Sequence, residues 1–169
     1  MTTAKLEISD PVIQDCIVQS VRKVFKTMMG HDVSFVEQLG EETLSTPHES
    51  PQIIGSVGFI GLANGLIYLC FSEKFAKLAS GRMLGMNAAE IEQQGYAVIN
   101  DAIGEITNMT VGGFKNTLCD MGFPCKLTLP AIVRGTNLSI ASVKSATRHV
   151  FRFDCTGHQF VADIQLKIE

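Results

Sequence analysis

The chain has 169 residues, 46% of them hydrophobic and 18% charged, which is enough for a sizeable core and excludes a disordered chain. Its net charge is −3, its pI is near 5.8, and no run of Lys and Arg interleaves with aromatics, which argues against a nucleic-acid partner. Five cysteines without a CxxC pair and four histidines without ligand spacing predict reduced thiols, no bound metal and a cytoplasmic setting.

The N-terminal stretch MTTAKLEISDP lacks the apolar run of a signal peptide. Asp10-Pro11 predicts a helix start, with Asp10 as N-cap and Pro11 at the first helical position. Ile13, Ile17, Val21, Val24 and Met28 then keep helical spacing up to Gly30, a residue suited to the helix exit. A strand is expected over residues 33–39, and a polar loop with two prolines over 40–51.

Residues 53–71 form a run of 19 without charge, close to the length of a spanning helix. They hold four glycines and an Asn64-Gly65 pair, a strong hairpin signal because both residues tolerate positive φ. The run is therefore read as two buried strands, 52–63 and 66–71, with no membrane insertion. Ser72 caps a short helix over 73–84, closed by Gly85.

Asn87, with Glu90 three residues on, predicts a capping box that opens the longest helix, 88–118, ending near Met121-Gly122. The remainder reads as β. A strand over 126–133 contains Pro130, which favours an edge position or a bulge. Gly135-Thr136-Asn137 signals a turn, and strands are expected over 138–144, 148–155 and 159–168. Thr156-Gly157-His158 joins the last two as a hairpin.

A weak internal repeat is visible: helix, Met-Gly, strand and hairpin occur in each half, at Met29-Gly30 and Met121-Gly122. The expectation is one α+β domain over 1–169 with pseudo-twofold halves, about 10–72 and 88–168. Two long helices and a short one would pack on an antiparallel β-sheet.

On the long helix, Ile99, Ile103, Ile106, Thr110 and Phe114 make one stripe, the expected core face. Asp101, Glu105 and Asn108 fall within about 60° of one another on the opposite side. Gly104, Gly112 and Gly113 also lie in this helix, each costing roughly 1 kcal/mol relative to Ala. Gly112 lies on the polar side, where a partner backbone could approach, and Gly113 nearer the core stripe, where it suits helix packing. The first helix offers only Asp15, Gln19 and Lys23, a solvated face.

A carboxamide both donates and accepts, so it can hold a water in a chosen direction. A neighbouring carboxylate can grip a cation or a lysine. There is no Ser-His-Asp pattern, no G-x-S-x-G, no phosphate-binding GxxxxGK[ST] and no pair of acids suited to glycosidase chemistry. The residues alone leave open a solvated helix face and half of an active site whose remainder comes from the substrate.

Asp101-x-x-x-Glu105-x-x-Asn108 followed by Met109-Thr110 resembles the signature of the CheC/CheX/FliY chemotaxis phosphatases. The likeness extends to the first helix ending in Met-Gly, to GSVGFIGLANGLIYLCFS, to the short helix ending MLG, and to the turn GTNL. A single site beside a first helix without the motif is similar to the CheX branch. The resemblance implies a CheC-like fold and a phosphatase acting on a phosphorylated CheY-like response regulator. It implies that Asn108 positions the attacking water and that Glu105 pairs with the regulator's lysine. Asp101 matches the first position of the motif, and Asp101, Gly104 and Gly112 would lie at the partner contact. The chain would bind no cofactor, with Mg2+ supplied by the regulator, and a homodimer is implied. The alternative is a non-catalytic adaptor that binds a receiver domain in a two-component or flagellar system.

Overall fold

The structure, a computed structural model, describes residues 7–40 and 50–169. The first helix, α1 (Asp10–Met29), runs into Gly30 at φ 71°, whose N–H closes on the Lys26 carbonyl. Ser9, not Asp10, is the residue before it, and it makes no side-chain cap bond. Asp10 instead lies in the first turn with Pro11, where its charge suits the helix dipole. β1 (Ser34–Leu39) follows, and most of the expected 40–51 loop falls outside the described residues.

β2 (Gln52–Gly61) and β3 (Ala63–Ser72) are two buried strands. Among the described residues no helix is long and apolar enough to cross a membrane. Asn64-Gly65 is not their turn. The chain reverses two residues before Asn64, around Leu62, and Asn64 and Gly65 already pair with Lys167 and Leu166 of the last strand. The Asn64 side chain still serves the turn, accepting from Gly61 N at 3.0 Å.

Ser72 caps α2 (Glu73–Leu84), its hydroxyl accepting from Phe75 N at 3.1 Å. The capping box at Asn87 and Glu90 forms, but it opens a five-residue helix, α3 (Ala88–Glu92). The chain breaks at Gln93–Gly95 and restarts as α4 (Tyr96–Asp120) with glycine as its N-cap, so the expected 88–118 helix is two helices.

The expected strand over 126–133 is divided by Pro130 into β4 (Cys125–Leu127) and β5 (Ala131–Gly135). Both pair with β2, Leu127 opposite Phe59 and Ala131 opposite Ser56. Thr128, Leu129 and Pro130 therefore oppose only Val57 and Gly58, which is a β-bulge on an edge strand.

The expected strand over 138–144 does not form. Those residues lie over the outer face of the sheet, bound by side chains. Gln165 accepts from Val143 N at 2.6 Å and donates to Ala141 O, while Arg148 donates to Ile140 O and Ser142 Oγ. Arg148 also grips the buried Asp163 at 2.6 Å. β6 (Thr147–Cys155) and β7 (His158–Ile168) close as a hairpin, with Thr156 and Gly157 both at positive φ as a tight primed turn requires.

The seven described strands form one antiparallel sheet in the order β1-β6-β7-β3-β2-β4, with β5 also on β2. The order is symmetric about the β7–β3 pair. The single strand of each half is exchanged onto the hairpin of the other. The fold class is therefore α+β, with the helices packed on an antiparallel sheet.

α1, α2 and α4 share one face. Phe25 of α1 stacks on Phe160 of β7 at 4.8 Å, Phe75 of α2 packs on Phe71 at 5.8 Å, and Phe114 of α4 packs on Phe59 of β2 at 6.0 Å. Inward residues of β3 (Ile67, Leu69, Phe71) are fully buried while the alternate Leu66, Tyr68 and Cys70 are half-buried. Two glycines permit close packing. A Cβ on Gly55 of β2 would collide with Thr107 of α4, and one on Gly113 of α4 would collide with Ser20 of α1.

Candidate functional site

The predicted core stripe of α4, from Ile99 to Phe114, is buried throughout. Its two buried threonines do not disturb the core, because Thr107 and Thr110 return their hydroxyls to Ile103 O and Ile106 O at 2.7 and 2.8 Å. Ser20 of α1 donates to Thr110 O, tying the two long helices together. The helix is thereby fixed in rotation, and its other side faces outward at a set angle.

A second ridge of α4, at a spacing of four residues, runs along the edge strand in the opposite direction. Tyr96 lies under the Arg134 guanidinium, 3.4 Å from its ring centre. A methyl group added at Gly104 would touch Ile132 at 3.9 Å, and one at Gly112 would touch Leu127 at 3.7 Å. Asn108 lies midway between these glycines, level with the bulge. There the strand leaves regular pairing and a shallow hollow opens, about 490 Å³ in volume.

The hollow is lined by Asn100, Asp101, Gly104, Glu105, Asn108, Pro130 and Ile132. The structure thus brings together Asp101, Gly104, Glu105 and Asn108. It does not include Gly112, which is half-buried against Leu127; the space expected there for a partner backbone is taken by this chain's own strand. Gly104 is buried, and its missing side chain deepens the floor.

Asp101 and Glu105 are exposed and Asn108 is half-buried. No described side chain forms an ion pair with either carboxylate. Two like charges one turn apart repel each other by a few tenths of a kcal/mol, so the pair weakens the helix slightly and favours an incoming cation. The neighbouring carboxamide supplies a directional donor and acceptor. Among the described residues no three His, Cys, Asp or Glu gather as metal ligands. The hollow carries no serine, threonine, cysteine or histidine.

Three lining residues were not anticipated as site residues. Asn100 shares the four-residue ridge of Gly104 and Asn108, a signal present in the sequence. Its Oδ1 is buried without a hydrogen-bond partner. Pro130 and Ile132 come from a strand more than twenty residues away and carry no local signal of the contact. A larger groove, about 800 Å³, lies between α2, α3 and His158. It contains none of the motif residues, and its Lys77 is already committed to Glu73 and Glu92.

Against known proteins, the family model described as chemotaxis phosphatase CheX matches residues 53–154. The CheY-P phosphatase CheX of Thermotoga maritima is 29% identical over 133 residues, covering 79% of this chain and 82% of that one. Among solved structures, a chemotaxis protein CheX from Desulfovibrio desulfuricans superimposes with a TM-score of 0.78 at 24% identity, over 92% of this chain and 99% of the other. The CheX of a CheX–CheY–BeF3–Mg2+ complex from Borrelia burgdorferi has the same fold, with a TM-score of 0.70 at 18% identity, over 92% and 97% of the two chains.

Proposed function

The chain belongs to the chemotaxis phosphatase CheX family, and from that premise we propose that it hydrolyses the aspartyl phosphate of a CheY-like response regulator. One observation carries the reading: a carboxamide and two carboxylates, without an ion-pair partner among the described residues, share a hollow that has no hydroxyl, thiol or imidazole of its own. Such a site completes a reaction centre brought by its substrate.

Asn108 holds a water in line with the phosphorus, through its carbonyl oxygen and amide group. The water oxygen bonds to phosphorus as the bond to the aspartyl oxygen breaks. The products are inorganic phosphate, which keeps the water's hydroxyl and takes its other proton on a phosphoryl oxygen, and a free carboxylate on the regulator. Holding the water replaces a random encounter with a positioned one. Glu105 receives the ammonium of the regulator's lysine, and Asp101 adds a second negative charge one turn away. In this reading Mg2+ would be held by the regulator, where it would supply neutralisation of the phosphoryl oxygens, and no residue of this chain is assigned to it. The chain is taken to act as a homodimer, which sedimentation of the purified protein tests.

The test is phosphate release from a phosphorylated receiver domain. Asn108→Ala should slow it by about 10²–10³-fold, the usual effect of losing one positioned polar group. Glu105→Ala should mainly raise KM. Equal rates for wild type and Asn108→Ala would sink the proposal, and a tight complex that leaves the phosphate in place would make the protein an adaptor.

A further inference from the structure

The bulge beside Asn108 is held in place, not loosely looped. Thr128 occupies both backbone groups of Gly58: its N–H donates to Gly58 O at 2.8 Å, and its hydroxyl accepts from Gly58 N at 2.9 Å. A Cβ on Gly58 would stand 3.0 Å from that hydroxyl, so glycine admits it. Pro130 has no N–H to leave unpaired.

The consequence falls on Leu129. Leu127 and Ile132 on either side turn in against Gly112 and Gly104. Pro130 lines the hollow, and Leu129 is 89% exposed, more than any other large hydrophobic side chain among the described residues. A lone exposed leucine is ordinary. This one is fixed on a pinned bulge, next in the chain to a residue of the site.

A globular partner that sets its phosphate on Asn108 must cover about 800 Å² of this surface, a disc of roughly 16 Å radius. Leu129 is one residue, about 3.8 Å of chain, from Pro130 and falls well within it. Inside that footprint the hollow itself offers carboxylates and a carboxamide, whose electrostatic complementarity sets specificity and encounter rate more than raw affinity. A large apolar side chain on a pinned backbone beside them gains binding free energy when a partner covers it, in proportion to the apolar area taken from water.

We propose that Leu129 is the apolar anchor on which the phosphorylated receiver docks, setting affinity and choice of regulator without touching the reacting atoms. The inference rests on the reading of the hollow as a receiver site. The partner surface is an apolar patch bordering the receiver's phosphorylation site.

The experiment compares wild type, Leu129→Asp, Leu129→Met and Asn108→Ala in the full chain. Each is assayed for phosphate release and for binding to a CheY-like receiver loaded with beryllofluoride and Mg2+. Leu129→Asp should raise KM and Kd about tenfold or more, equivalent to about 1.4 kcal/mol, with kcat and the unfolding midpoint unchanged. Leu129→Met should retain most of the affinity. Unchanged KM and Kd in Leu129→Asp overturn the anchor, and the phosphatase reading then stands or falls separately on Asn108→Ala. If Asn108→Ala proves as active as wild type, the phosphatase reading fails, and weaker binding by Leu129→Asp still upholds the anchor. A variant that loses self-association but binds the receiver normally assigns Leu129 to a contact between copies, which also overturns it.

Discussion

The two long helices were built to one plan and put to different uses. A shift of 90 residues lays the buried Ile13, Cys16, Ile17, Ser20, Val21 and Val24 of α1 on the buried Ile103, Ile106, Thr107, Thr110, Val111 and Phe114 of α4. In that alignment Asp15 takes the place of Glu105, and Val18 the place of Asn108. The first half keeps a carboxylate and lacks the carboxamide; Val18 packs against the core. Both edge strands are bulged, β1 between Phe35 and Glu37 and the other at Thr128–Pro130. In the first half Phe35 packs edge-on against Phe151 and Phe153 at 6.1 and 5.9 Å. In the second half the strand stands over glycine and leaves a hollow. A polar site therefore required more than one substitution: a carboxamide, missing side chains beneath the strand, and a bulge level with them.

Exchanging the two residues tests this most severely. Asn108→Val should cost at least about a hundredfold in phosphate release, roughly 2.7 kcal/mol. Adding Val18→Asn should restore none of it, because position 18 packs against the core. Recovery in the double variant, measured with phosphorylated receiver, would break the contrast.

Gly113→Val comes next. Its side chain would collide with Ser20 at the crossing of the two helices, and overpacking of this kind costs about 1–3 kcal/mol. Urea denaturation should show the loss, with dephosphorylation by the remaining folded protein nearly unchanged.

Gly104→Ala should move stability the other way. The added methyl meets only Ile132, at ordinary contact distance, and replacing a helical glycine gains about 0.5–1 kcal/mol. The same methyl raises the floor of the hollow, so KM for the receiver should rise as the melting temperature rises. A variant that is more stable and equally active would show that the depth of the hollow is irrelevant.

The smallest effect concerns the start of α1. His149 of β6 is buried with its Nδ1 3.7 Å from Asp10. Burial holds its pKa below the ordinary 6.5, and the Asp10 charge opposes this only in part. The unfolded chain therefore takes up the proton first, and stability falls as the pH drops through about 6.5 towards the lower folded value. His149→Phe should flatten the melting temperature against pH on the acid side of about 6.5.

Periodicity revealed the core stripe of α4 and the opposed acids, because both are properties of one helix. It missed the break at Gln93–Gly95, since Asn87 and Glu90 form a genuine cap and Ile91 keeps the apolar pattern across the gap. Asn64-Gly65 misled because pairing with β7 outweighs a local turn preference. Residues 138–144 have apolar positions enough for a strand, but Arg148 and Gln165 take up backbone groups from that segment. Pro130 announced an edge or a bulge, and the bulge is there. That it faces Asn108 depends on sheet order, which no local pattern encodes.

The exchanged edge strands also govern how the molecule can be assembled. As the chain is made from its N-terminus, β1 waits for β6, β2 for β4 and β5, and β3 for β7. The β2–β3 hairpin has both edges open until the second half arrives, a state prone to pairing with other chains. Contacts so distant in sequence close slowly, because the loop entropy is lost before the pairing is gained. The helix bearing Asn108 and Glu105 is complete before the strand that walls it exists. The hollow over that face is therefore among the last features of the molecule to take shape.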